Sequence, residues 1–323
     1  MSAPDPTRPP QSQTADPPTQ PLVTVRVGTD GVRVGGDGIR AANDGVPGGG
    51  DVSATRDGQP RITDGRPATT PWTFVDVFAG LGVVLLLSML VAAPLQFADV
   101  KGGSALLLVS ALPVWIGLLG TTFWASRRHG TGNLVRDLAL RFRPVDLAIG
   151  LGAGLGLRLV IGIWTVAYSA ITGQRPTGNL DTVLGDGLGT GVWLVINIAV
   201  IALIGPAIEE IFFRGLGLRS ALASAWRRAS LPVRTRRGFR LAPSFADPKW
   251  RVRYSIAATS LIFALLHLSE VSDLTSAVVL LPGLFLAGWV LGWLTVWSGR
   301  LGPAIVTHVV FNGVAVVALL AIS

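Results

Sequence analysis

Glutamate and histidine are rare in this sequence, and most of them lie inside long apolar runs. Two of the three Glu residues, Glu209 and Glu210, are adjacent in the run 191–213. Two of the three His residues, His267 and His308, lie in two later apolar runs. An ionisable side chain at membrane depth costs about 2.5–3.5 kcal/mol on insertion scales, so it marks a functional site by default. These four residues are the first candidates for chemistry.

Spacing separates the roles of the two glutamates. Glu210 and Arg214 are four residues apart with the acid first, which is the favourable order for a helical ion pair. On a helix, Glu209 points about 100° away from its neighbour. We therefore predict that Glu209 is the reactive acid and that Glu210 is the partner of Arg214.

Two further pairs repeat the four-residue spacing, Phe263 with His267 and His308 with Asn312, so each pair shares one helix face. A carboxylate and a neutral imidazole that converge on one water could deprotonate it for attack on a peptide carbonyl. Imidazole and amide N–H groups can stabilise the oxyanion that follows. The pattern indicates transfer of an acyl group to water. Each residue alone could instead be a hydrogen bond between helices.

The elements that must hold these residues are membrane helices. The chain has 323 residues, of which 50% are hydrophobic and 14% charged, against about 25% charged in soluble proteins. A span needs about 20 apolar residues. Seven runs come close, and the fifth is too short to cross alone: 74–95, 104–125, 147–171, 191–213, 255–268, 276–298 and 303–322. We predict an all-α, polytopic transmembrane bundle of about seven spans, or eight helices.

Three regions follow from the composition. Residues 1–70 are rich in Pro, Gly, Asp and Arg, which predicts a disordered cytoplasmic tail, with a Val-rich patch at 22–34 as a possible binding segment. Residues 71–190 form amino-terminal transmembrane helices, and residues 191–323 form the catalytic membrane domain. No apolar run follows Met1, so a signal peptide is not expected.

Arginine concentrates in two loops, near 126–146 and 216–254. The positive-inside rule then places the amino terminus in the cytoplasm and the carboxyl terminus outside a cell membrane. The surplus positive charge is therefore assigned to topology and to the lipid bilayer, with the second loop on anionic lipid, and no nucleic-acid partner is expected. The Arg-heavy composition with a tail is typical of a bacterial protein.

The three motifs resemble the CPBP family of intramembrane proteases, which includes the type II CAAX prenyl endopeptidases and bacterial Abi proteins. The resemblance covers about residues 190–320 and has the motifs in the family's order: Glu209, Glu210 and Arg214; Phe263 and His267; His308 and Asn312. It implies a membrane-embedded endopeptidase that acts on a membrane-associated peptide or protein. It implies that Glu209 and His267 activate water and that His308 and Asn312 hold the oxyanion, with Arg214 and Phe263 in support.

Other interpretations stay open. We prefer a metal-free glutamate mechanism with no cofactor, although Glu209, His267 and His308 could hold Zn²⁺ with a water in the fourth position. A non-catalytic immunity or scaffold protein could retain the same polar cluster. A small-solute transporter with a charge relay is a third possibility.

Two residues raise questions of depth. If the fifth segment is a straight span that starts at Ser255, His267 lies about 18 Å deep, whereas Glu209 and His308 are expected near the inner face. The site then requires a deep polar cavity, a tilted or broken fifth helix, or a more deeply placed glutamate. Arg158, in the middle of the third run, either faces the bundle interior or snorkels.

Overall fold

The computed structural model describes residues 25–28, 31–34, 72–97, 104–174, 176, 191–230, 247–271 and 273–321. It divides into two units, Met1–Gly50 and Asp51–Ser323. The predicted domain boundaries at residues 70 and 190 stay predictions, and most of the predicted tail lies outside the described residues.

Within the first unit, two short strands form an antiparallel pair. Strand β1 is Val25–Gly28 and strand β2 is Gly31–Val34, with Val25 opposite Val34. These strands lie in the Val-rich patch, where β-branched residues favour extended backbone. For these eight residues, pairing replaces the disorder that was predicted for the tail.

The second unit is helical throughout its regular elements among the described residues. The helices before the predicted catalytic region are α1 Phe74–Phe97, α2 Ser104–His129, the single turn α3 Leu134–Asp137, and α4 Val145–Thr172. Those that follow are α5 Val192–Ile198, α6 Gly205–Glu210, α7 Leu218–Ser230, α8 Pro248–Leu266, α9 Leu274–Ser298 and α10 Gly302–Leu320. A 3₁₀ turn, His267–Glu270, extends the end of α8.

Two π-helical segments join α5, α6 and α7 into one continuous helix. The first is Ala199–Ile204 and the second is Ile211–Gly217. A π segment contains one residue more than the α-helix would need and is common at functional sites. We call residues 192–230 the long helix, and the two glutamates end the short α block between its π segments.

Five helices are long and apolar enough to cross a membrane by length and composition: Phe74–Leu95, Ala105–His129, Val145–Thr172, Val192–Arg227 and Leu274–Ser298. Gly302–Ala318 is a shorter apolar helix. Together with α8, these match the seven apolar runs, so the prediction of an all-α, multi-pass membrane bundle is confirmed. The orientation of the termini stays a prediction.

Glycine lets α4 lie close to α10. A Cβ atom at Gly154 would be 2.8 Å from the Thr307 carbonyl oxygen and 2.8 Å from Val310 Cβ, which is closer than real Cβ contacts. Since His308 follows Thr307 directly, this contact fixes the height and rotation of the helix that carries one candidate histidine.

The start of α10 is also anchored by a buried ion pair. The Asp146 carboxylate is fully buried and accepts a hydrogen bond from Arg300 Nε at 3.1 Å. It also accepts the backbone N–H of Arg143 at 2.9 Å. Paired and hydrogen-bonded in this way, a buried carboxylate is tolerated, and it joins the start of α4 to the turn before α10.

Candidate active site

Glu210, Arg214 and His308 form a buried polar network where the long helix meets α10. Arg214 Nη1 donates to Glu210 Oε1 at 2.8 Å, so the ion pair predicted from the spacing is present. His308 Nδ1 lies 2.8 Å from the same oxygen. The exposed fractions are 0% for Glu210, 2% for Arg214 and 5% for His308. The network is closed to solvent.

Arg214 has further partners that hold it in place. Its Nη2 donates to the carbonyl of Gly288 at 3.2 Å. The guanidinium carbon lies 4.7 Å from the centroid of the Phe263 ring, within cation–π range. A Cβ atom at Gly288 would be 3.0 Å from Ser260 Cα, so this glycine lets α9 approach α8 while its carbonyl faces the arginine.

Glu209 is separate from the closed network and more exposed. Its side chain is 27% exposed, and its Oε2 lies 3.9 Å from His308 Nε2. That distance is longer than a hydrogen bond, yet two atoms so spaced can both contact one oxygen atom placed beside them. The two carboxylates therefore have different surroundings, and the division between a reactive Glu209 and a structural Glu210 stays a prediction.

His308 therefore lies between the two carboxylates. Its Nδ1 can approach Glu210 at this distance as a donor, which leaves Nε2 directed toward Glu209.

His267 packs against the Phe263 ring, as His308 does. Its Nδ1 is 2.7 Å from the Phe263 carbonyl oxygen, so Nδ1 carries the hydrogen, and Nε2 is the acceptor atom of the neutral ring. The Phe263 centroid lies 4.6 Å from that of His267 and 5.8 Å from that of His308. The distance between the centroids of the two imidazole rings therefore cannot exceed the sum of these two distances.

The structure gives the ends of the two helices on which the predicted depths depend. The helix that carries the glutamates does not end near residue 213 but continues through Ser230, so Glu209 lies at the middle of Val192–Arg227. Helix α8 ends at Leu266, and His267 is its C-cap residue. The buried Arg214 and Arg219 find partners inside the bundle and do not end the helix. The depths of Glu209 and His267 in a membrane stay predictions.

Asn312 makes a contact that the sequence pattern did not suggest. Its Nδ2 donates to the backbone carbonyl of Ile201 at 3.1 Å. In the π segment the N–H of Gly205 bonds to the Val200 carbonyl, so the next donor in that register would be residue 206. That residue is Pro206, which has no N–H. Asn312 thus supplies the missing donor, and its predicted role toward an oxyanion has to use its second N–H.

No three His, Cys, Asp or Glu side chains in the described parts of the chain are arranged to hold one metal ion. This applies to the alternative zinc set of Glu209, His267 and His308. We therefore derive no step through a metal.

Comparison with known families agrees with this geometry. Residues 191–314 match the family model described as type II CAAX prenyl endopeptidase Rce1-like. All seven motif residues, from Glu209 to Asn312, fall within the matched segment. No curated protein and no solved structure matches the chain.

The match confirms the resemblance to the CPBP and CAAX protease family over the segment that holds the site. It implies a membrane-embedded peptidase of the CAAX protease type. With five helices long and apolar enough to span a bilayer, the chain is a multi-pass membrane protein.

Proposed function

We propose that the chain is an intramembrane endopeptidase in which Glu209 activates a water molecule for attack on a peptide bond. The observation that carries this is the contrast between the two carboxylates. Glu210 is fully buried and bound by Arg214 and His308, whereas Glu209 is partly exposed and 3.9 Å from His308 Nε2. A closed network alone would not need the second carboxylate.

In the proposed reaction, the oxygen of a water molecule attacks the carbonyl carbon of the peptide bond. A proton of this water passes to Glu209, and His267 Nε2 is a second hydrogen-bond acceptor for the same water. The C=O π electrons move to the oxygen, and the oxyanion accepts hydrogen bonds from His308 Nε2–H and the Asn312 amide. The proton then passes to the leaving nitrogen as the C–N bond breaks. Donors arranged before the reaction stabilise such an oxyanion strongly in a site that excludes water.

Glu210 and Arg214 are proposed as positioning residues in this mechanism. A carboxylate at His308 Nδ1 fixes the ring orientation, as second partners of catalytic histidines generally do. Arg214 in turn fixes Glu210. The network therefore holds His308 in place without contacting the substrate.

A non-catalytic scaffold remains the second candidate, since the buried Glu210–Arg214–His308 network would also stabilise a protein without activity. The two functions predict different effects of a substitution at Glu209. A scaffold would tolerate Glu209→Gln, which keeps the size and polarity of the side chain.

The test compares membranes of cells that express wild type, Glu209→Gln, His267→Ala or Glu270→Gln, the last being a matched change at the remaining glutamate of the sequence. New peptide termini are identified by mass spectrometry, and the purified protein is then tested on those peptides in H₂¹⁸O. We expect cleavage by wild type and Glu270→Gln, with ¹⁸O in the new carboxyl group. Glu209→Gln should lower kcat by at least about 100-fold, as general-base loss does.

Equal cleavage by Glu209→Gln and wild type would refute the proposed base. A chelator added to the same assay tests the zinc alternative, since a zinc-dependent enzyme loses activity on chelation and regains it on addition of Zn²⁺. Termini that depend on neither Glu209 nor His267 would favour the scaffold.

A further inference from the structure

A second functional feature lies on the outer face of α4, away from the contact that α4 makes with α10. A groove of about 630 Å³ runs along this face. It is lined almost wholly by α4 side chains between Leu155 and Ala167, with Val314 of α10 at its side. Counted from Leu155, the α4 positions are i, i+3, i+4, i+7, i+8, i+11 and i+12, which is one helix face.

Among the described residues that line this groove, Arg158 alone is charged, and it lies near the middle of the 28-residue helix α4. Its Nε donates to the Phe311 carbonyl oxygen at 3.0 Å, and Nη2 donates to the same atom. The guanidinium also stacks at 3.9 Å on the Phe311 ring. These contacts orient the side chain, yet a carbonyl and a ring do not neutralise its charge.

No carboxylate of the described residues forms an ion pair with Arg158. A guanidinium has five N–H donors in a fixed fork, and only Nε and Nη2 are used at Phe311. Charged residues at membrane depth generally pair with an opposite charge. The groove therefore combines an apolar surface with a cation that has no carboxylate partner in the part of the chain that the structure describes.

The shape of the face indicates which occupant can supply that anion. Gly152 and Gly156 lie on the same side of α4, and no heavy atom lies within 4 Å of a Cβ built on either. Small residues four apart allow a second helix to approach the backbone closely. On the opposite side of this helix, Gly150 and Gly154 bring α10 into such close contact. Helix α4 therefore has two glycine pairs, one packed against a helix and one without a neighbour within 4 Å.

We propose that the groove docks a transmembrane helix of a partner protein that carries an Asp or Glu side chain at mid-membrane, paired with Arg158. The proposal concerns binding only and does not depend on the peptidase activity. A lipid chain could fill the apolar groove, but it places its anionic headgroup at the membrane surface and not at the depth of Arg158.

The absence of Cys from the sequence allows a direct binding assay. Thr172→Cys at the end of α4 carries a fluorescence donor, in the full-length protein reconstituted in phosphatidylcholine vesicles. The probes are two acceptor-labelled Leu/Ala peptides of about 20 residues, long enough to span the bilayer, with a central Glu or a central Gln. Energy transfer is measured against the mole fraction of peptide.

We expect the Glu peptide to reach half-saturation at about tenfold lower mole fraction than the Gln peptide, the size of polar contacts between model transmembrane helices. Arg158→Gln should remove this preference, and Arg158→Lys should restore part of it. Gly156→Leu should weaken both peptides by blocking close approach. Gly120→Leu, at another glycine with open space around it on α2, is the matched control and should change nothing.

Equal binding of the two peptides to wild type, or a Glu preference that survives Arg158→Gln, would overturn the proposal. Stronger quenching of the donor by brominated phosphatidylglycerol than by brominated phosphatidylcholine, together with loss of peptide binding, would assign the groove to an anionic lipid instead. Circular dichroism and gel filtration show whether each variant is folded. If Arg158→Gln does not fold, Arg158→Lys takes its place in the comparison.

Discussion

The ion pair between Glu210 and Arg214 makes the sharpest prediction about stability. Arg214→Leu removes both the donor to Glu210 Oε1 and the donor to the Gly288 carbonyl. Glu210 is 0% exposed and Arg214 is 2% exposed, so neither can turn to water when the other is lost. Removal of one partner from a buried pair costs about 3–5 kcal/mol, and we expect this from Arg214→Leu and from Glu210→Leu alike.

The double variant should be far less damaged than the sum of the singles. Replacing both charges by apolar groups of similar size is often close to neutral. What remains is the lost partner of His308 Nδ1, which costs about 1–3 kcal/mol. The coupling free energy between the two positions should therefore be at least about 3 kcal/mol by these magnitudes.

The free energy of unfolding can be measured by titrating detergent micelles with SDS while tryptophan fluorescence is followed. A second cycle at Asp76 and His129, whose contact is 3.0 Å long but whose histidine side chain is 39% exposed, serves as the control. Partly exposed pairs typically contribute below about 1 kcal/mol. A Glu210–Arg214 coupling no larger than that of the control would refute the claim that this network is dry and mutually dependent.

Two further predictions concern the helices around the site. Gly154→Ala should force α10 away from α4 and displace His308. The expected loss is about 100-fold in kcat/KM, as small misplacements of catalytic groups can cause. Gly152→Ala is the control and should leave cleavage unchanged, because nothing lies within 4 Å of a Cβ atom at that position. Asn312→Leu should lower the free energy of unfolding by about 1–3 kcal/mol because a buried carbonyl loses its donor. Addition of Pro206→Ala should recover much of that loss in the same SDS titration, since it restores a backbone N–H in the π register, and no recovery would contradict the account given for Asn312.

The sequence was sufficient to predict the membrane bundle and the pairing inside the first motif. Both depend on local rules: the length of apolar runs, and the spacing of Glu210 and Arg214 on one helix. The same rules failed at residue 213, where a buried arginine looked like the end of a span. Arg214 is buried because it pairs with Glu210 and also contacts the Gly288 carbonyl and the Phe263 ring. The last two partners are distant in sequence, so local spacing could not predict them.

The contacts of the two histidines could not be predicted for a related reason. The sequence paired His267 with Glu209 and placed His308 beside Asn312, but in the structure the Glu209 carboxylate lies 3.9 Å from His308 Nε2. Which imidazole faces which carboxylate depends on how α8 and α10 pack on the long helix. That packing depends on glycines such as Gly154 and Gly288, because a Cβ atom at either position would be too close to the neighbouring helix.

The two π segments have a consequence for how the long helix can change in length. A π segment absorbs an extra residue without turning the helix on either side, so loss of one residue from Ala199–Ile204 or Ile211–Gly217 would leave the flanking faces in place. Loss of one residue from Gly205–Glu210 would rotate the glutamates by about 100° relative to α10. Insertions and deletions should therefore collect in the π segments, while the six residues between them keep a fixed length.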